Sequence, residues 1–153
     1  MIVKPLKTAA IAAVCALALA FTGCGSNQSN QSDTQSQEAT ASTVKVTDAR
    51  GEVEIPSNPQ RIVDISGNSD ILSILGYTVV GTANSDAYDY TKYPTYLEET
   101  LKGATILGYS MQKTMDVEAI LALNPDMIII SSVQESMYQQ LQEVAPTVMI
   151  ELA

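Results

Sequence analysis

The chain has 153 residues, 46% of them apolar, with 17 acidic side chains against 8 basic ones and a formal net charge of −9. So acidic a polypeptide lacks the Lys/Arg clusters that replace counterions on nucleic acid or anionic lipid, and neither is expected as a partner. It contains no histidine, the commonest transition-metal ligand and general base, which argues against metalloenzymes and triad hydrolases.

Lys4 and Lys7 form a basic start, and Thr8 to Phe21 is an apolar run shorter than the roughly 20 residues of a bilayer-spanning helix. Small residues Thr22 and Gly23 then precede Cys24. This is the layout of an export signal. The segment Phe21-Thr22-Gly23-Cys24 resembles the lipobox of bacterial lipoproteins, with Phe21 in place of the usual leucine, and implies lipidation of Cys24 as the first mature residue. The alternative is a plain secretory signal with an incidental cysteine.

Loss of residues 1–23 removes two lysines and no acid, leaving six basic and 17 acidic side chains, a net charge of about −11. Cys15 lies inside the signal and Cys24 at its end, so no internal disulfide is expected. Residues 24–43 carry Ser, Gln, Asn and Thr and no large apolar side chain, a composition that cannot offset the entropy of ordering and reads as a flexible tether. Residues 44–153 remain for one globular core.

Within that core, apolar and polar positions alternate from Val44 to Pro56 on either side of Asp48–Gly51, which predicts a β-hairpin. Short β-branched runs follow at Arg61–Ile65, Thr78–Gly81, Asp126–Ile130 and Thr147–Ile150, with a weaker one at Ala104–Leu107. Helices are expected between them. The candidates are Ser69–Leu75 ended by Gly76, Pro94–Leu101 ended near Gly103, Asp116–Leu123 stopped by Asn124-Pro125, and Gln134–Val144 closed by Ala145-Pro146. Strict alternation of strand and helix implies parallel strands joined by right-handed crossovers. The predicted fold class is therefore α/β: a Rossmann-like three-layer lobe with a mainly parallel sheet, preceded by a β-hairpin, with signal and tether outside it.

Ligands of open α/β sheets bind beyond the carboxyl ends of the strands, so the loops after the strands define the search. They contribute Ser66, Asn68 and Ser69, then Tyr88 and Tyr90, then Tyr109 and Met111, then Ser132 and Gln134 as candidate ligand-binding residues. Aromatic rings at a cleft rim suit a flat, partly apolar ligand. The competing reading is that these tyrosines cover the sheet edge and the loops are solvated turns. Neither G-x-G-x-x-G nor G-x-x-x-x-G-K-[ST] occurs, and Ser66 or Ser131 as nucleophile has no histidine base, so nucleotide binding and catalysis are not expected.

Five blocks stand in one order along the chain: Val46-Thr-Asp-Ala-Arg-Gly-Glu-Val-Glu-Ile-Pro56, Asn58-Pro-Gln-Arg-Ile-Val63, Leu75-Gly-Tyr-Thr-Val-Val-Gly81, Val117 to Ile129 and Ala145-Pro-Thr-Val148. Together they resemble the iron-siderophore and cobalamin substrate-binding lipoproteins of ABC importers. The resemblance runs from about Val44 to the end of the chain. It implies a binding protein with two α/β lobes joined by a rigid helix, of which this chain carries the first. On that basis the chain is expected to be a truncated or fragmentary form without the second lobe, presenting half a cleft.

The resemblance also implies partners. These are a membrane permease with its ATPase, a small iron chelate, and the membrane through a lipid on the extracytoplasmic face. The acidic residue that pairs with permease arginines falls on Glu118, where the alternative is stabilisation of the helix start. No resident cofactor is implied. A ferric siderophore is the expected ligand, with haem held through Met111, or cobalamin, as the alternatives within the family and a non-transporting surface lipoprotein as the alternative outside it. Methionine more often fills space than ligates iron.

Overall fold

The computed structural model describes residues 42–151; Cys24, the signal and nearly all of the tether lie outside them. The chain opens with an antiparallel hairpin, β1 (Thr43–Asp48) and β2 (Gly51–Pro56). Asp48 and Gly51 face each other across its turn, as the alternation predicts. Five parallel strands follow: β3 (Ile62–Asp64), β4 (Val79–Thr82), β5 (Thr105–Ile106), β6 (Met127–Ser131) and β7 (Thr147–Ile150), in the spatial order β5-β4-β3-β6-β7. The fold is α/β with a mainly parallel sheet.

Helix α1 (Ser69–Ile74) joins β3 to β4, α2 (Val117–Ala122) precedes β6, and α3 (Tyr138–Gln142) precedes β7. Right-handed crossovers place α1 on one face of the sheet and α2 and α3 on the other, because the chain reverses direction across the sheet after β5. The core agrees with this arrangement. Val63, Ile65, Ile128 and Ile130 pack with Ile120 of α2 and with Met137 and Leu141 near and on α3. Ile120, Ile128, Ile130 and Leu141 are fully buried. Gly81 marks a close approach in this layer, since a Cβ there would stand 2.5 Å from Leu123 Cδ1 and 2.9 Å from Leu107 Cδ1.

The hairpin turn docks on the free edge of β7. Met149 turns both backbone groups outward, its N–H donating to Asp48 Oδ2 (2.8 Å) and its carbonyl accepting from the Ala49 N–H (2.9 Å). Next to it, Arg50 lies 4.5 Å above the Tyr138 ring and pairs with Glu135. An edge that would otherwise offer unpaired backbone is covered locally.

Two predicted helices differ. Pro94–Leu101 forms consecutive turns instead of an α-helix, held by Leu97 N to Pro94 O (2.8 Å) and Leu101 N to Leu97 O (2.9 Å). Short segments rarely sustain a helix alone, and β-branched Thr95 and Thr100 weaken it further; burial of Leu97 and Leu101 fixes the segment instead. The predicted Gln134–Val144 helix begins earlier, as a 3-10 helix over Ser132–Met137 that passes into α3. Gln134 departs from helical geometry there (φ −97, ψ 16), and the reason lies in the bonds its side chain makes.

Candidate functional site at the carboxyl end of the sheet

Strand order reverses between β3 and β6, so the loops leaving these neighbours diverge and open a crevice at the carboxyl end of the sheet. Asp64, the last residue of β3, is fully buried beneath this crevice. Its Oδ1 accepts from the N–H (3.0 Å) and hydroxyl (2.5 Å) of Ser66. Its Oδ2 accepts from the Asn68 N–H (2.9 Å) and the Ser69 hydroxyl (2.6 Å). Burial pushes the carboxyl above its ordinary range, and these four donors oppose that shift without cancelling it. No cation pairs with Asp64 among the described residues.

The network continues into the loop after β4. Ser69 and Thr82 hydroxyls meet at 2.6 Å, Thr82 Oγ1 accepts from the Asn84 N–H (3.0 Å), and Asn84 Nδ2 donates back to the Gly67 carbonyl (2.9 Å). Asn84 in turn forms an antiparallel bridge with Tyr109, beyond β5. Gly67, at φ +96, brings its backbone so near the same β5 loop that a Cβ would stand 2.9 Å from Ser110 Oγ.

On the other side of the reversal, Gln134 does comparable work for the loop after β6. Its Oε1 accepts from the N–H (3.2 Å) and hydroxyl (2.9 Å) of Ser131, and its Nε2 donates to the carbonyls of Ser110 (2.6 Å) and Gln112 (2.8 Å). All four bonding positions of the amide are used inside the protein. Four loops are thereby knitted into one surface, and no buried side-chain nitrogen or oxygen among the described residues lacks a partner.

The candidate residues thus fall into two groups. Ser66, Ser69 and Gln134 are buried and bonded within this network. Asn68 and Tyr109 are half-buried, while Tyr88, Tyr90, Met111 and Ser132 are exposed at the rim. Tyr90 and Tyr109 stack with centroids 5.6 Å apart and planes 12° apart, which joins the loops after β4 and β5 into one aromatic platform. Tyr93 turns away, its hydroxyl donating to the Ala104 carbonyl.

Asp64, Thr82, Asn84 and Ser131 were not among the sequence candidates. The one available signal was Asp64 itself, a carboxylate inside the apolar run Arg61–Ile65. Glu118 stands exposed in the first turn of α2, where the Asp116 carboxylate caps the helix by accepting from the Glu118 (2.9 Å) and Ala119 (3.2 Å) N–H groups. A cavity of about 280 Å³ lined by Ser73, Tyr77, Thr78, Thr100 and Lys102 lies elsewhere, at the amino end of β4.

The chain is an α/β lobe whose carboxyl-end loops are bonded into one face, and it is similar to proteins named as siderophore-binding. No protein-family model matches the chain. The probable siderophore-binding lipoprotein YfiY of Bacillus subtilis is 36% identical over 126 residues, covering 80% of this chain and 38% of the relative. The iron(3+)-hydroxamate-binding protein FhuD of the same organism is 33% identical, covering 88% and 40%. Among solved structures, Staphylococcus aureus SirA complexed with staphyloferrin B superposes with a TM-score of 0.62 at 33% identity, covering 71% of this chain and 36% of that one. The chain is a homologue of the siderophore-binding proteins over the part it spans, and it spans about two fifths of the length of the curated relatives it matches.

Proposed function

We propose that this chain is the ligand-receiving lobe of a substrate-binding lipoprotein that takes ferric siderophores and presents them to an ABC importer. The reading is carried by one observation: the loops at the strand-order reversal are bonded into a single face, and that face shows the stacked Tyr90–Tyr109 pair to solvent. Tyr88, Met111, Asn68 and Ser132 flank it as contacts for the chelate. Ser66, Ser69 and Gln134 support the face from beneath. The relatives named above are binding proteins, which favours capture over catalysis. Haem as ligand rests on Met111 alone, and none of those relatives is described as a haem binder.

The same proposal assigns residues 1–23 to an export signal, Cys24 to a lipid anchor and 24–43 to a tether, leaving the lobe on the extracytoplasmic face. Glu118 is assigned to docking on the permease, which its exposure on α2 permits. The chain has seven tyrosines and no tryptophan, so tyrosine emission is its natural reporter. Titration with a ferric trihydroxamate and a ferric catecholate should quench that emission saturably, with haem and cobalamin as comparators. Absence of saturable quenching by any ferric chelate would overturn the ligand assignment.

A further inference from the structure

We infer that Asp64 is the positioning residue of this face, the buried acceptor that sets where the loops after β3, β4 and β5 stand; its bearing on ligand capture rests on the receptor reading above. The inference follows from the direction of the hydrogen bonds. A hydroxyl has one proton. With Asp64 ionised, Ser69 directs its own to Oδ2 at 2.6 Å, and the 2.6 Å contact with Thr82 then has Thr82 as the donor. Thr82 Oγ1 then accepts the Asn84 N–H, and its 3.3 Å approach to Asn84 Oδ1 is the longer of its two options.

The bonds therefore run one way, from Asn84 through Thr82 and Ser69 to Asp64. The ionised Asp64 carboxylate, which only accepts, takes the end of this series together with the Ser66 and Asn68 donors. An amide of the same shape would turn its NH2 either toward the Asn68 N–H and Ser69 or toward the Ser66 pair, and leave the Asn68 or Ser66 N–H without a partner. Asn84 is the far end of the series and the bridge partner of Tyr109, so the position of the aromatic platform depends on a residue that touches no ligand. Asp64 is itself fully buried, which gives the carboxylate no alternative in water.

The test compares Asp64→Asn, Ser69→Ala and Ile130→Val in the full 153-residue chain. Amide hydrogen exchange and near-ultraviolet circular dichroism of the tyrosines are read without ligand. In Asp64→Asn the amides of Asn84 and Tyr109 should exchange roughly tenfold faster or more, and the tyrosine signal should change, while amides of β6 keep their protection. Ile130→Val, a core change of the other kind, should leave both loop signals as they are.

Should Asp64→Asn fail to fold, Ser69→Ala severs the series at its second member and should still alter Asn84 and Tyr109. Unchanged exchange and dichroism in a folded Asp64→Asn, or in Ser69→Ala, would overturn the inference. A ferric trihydroxamate titration runs beside these measurements. Loop signals that move while wild type shows no quenching support the positioning role and count against the ligand reading alone.

Discussion

Arg61 lays its guanidinium across the carboxyl end of α2, Nη2 donating to the Leu123 carbonyl at 2.6 Å and Nε to the Asn124 carbonyl at 3.1 Å. Asp126 completes the exchange from the other side, its carboxylate accepting from the Gln60 (2.6 Å) and Arg61 (2.9 Å) N–H groups. Two of the sequence blocks, Asn58–Val63 and Val117–Ile129, are therefore one structural unit. A cation at a helix end meets carbonyls that lack helical partners. Arg61→Ala should cost about 1–2 kcal/mol in urea unfolding, and Arg61→Lys, which keeps charge but loses the fork, should fall between. Equal stability of Arg61→Ala and wild type would sink this account.

Gln134 separates a supporting role from a binding role by experiment. Gln134→Leu leaves the Ser110 and Gln112 carbonyls and the Ser131 N–H without their partner in a buried place. The expected loss is about 2–4 kcal/mol of stability by chemical denaturation. Full stability combined with weakened chelate quenching would instead make Gln134 a ligand contact.

Glu118 is exposed, and the docking role proposed for it would act through the partner, not the fold. In cells carrying the importer, Glu118→Gln keeps the side-chain shape and should lower chelate uptake, and Glu118→Arg should lower it further. Chelate quenching by the purified variants should match wild type. The helix-start contribution of this charge is about 0.3–1 kcal/mol, too small to explain a transport defect through unfolding. Undiminished uptake by both variants refutes docking through this residue.

Asp89 gives a pH signature in the loop after β4. Its hydrogen bond with Lys92, at 2.8 Å in an exposed pair, leads the causes that hold the carboxyl down to about 2, with the Thr91 hydroxyl next. A depressed carboxyl favours the folded loop above its ordinary value of 3.8, and that contribution disappears as pH falls through about 2. Carboxyl carbon NMR should show this midpoint in wild type, and Lys92→Ala should move it back toward 3.8. An unmoved midpoint would show that the pair does not form in solution.

Strands β3, β4, β6 and β7 were legible because a parallel strand covered on both faces needs a continuous β-branched run, as Ile128–Ile130 shows. Helix α2 was legible from its ends, since Asp116 and Asn124-Pro125 act locally on backbone groups within a few residues. The Pro94–Leu101 segment was misread for the complementary reason. Its conformation is set by where Leu97 and Leu101 are buried, which is not local information.

The site divides along the same line. By itself the sequence determined the order of the strands along the chain, the loops that follow them, and the acidic and histidine-free chemistry. Only the tertiary structure decided that Ser66, Ser69 and Gln134 turn inward while Tyr90 and Tyr109 stack at the surface. That choice depends on β3 lying between β4 and β6, because only then do Asp64, Thr82 and Asn84 meet across 20 residues of chain. A serine in a loop satisfies itself equally well with water or with a neighbour, and the strand order alone determines which one it finds.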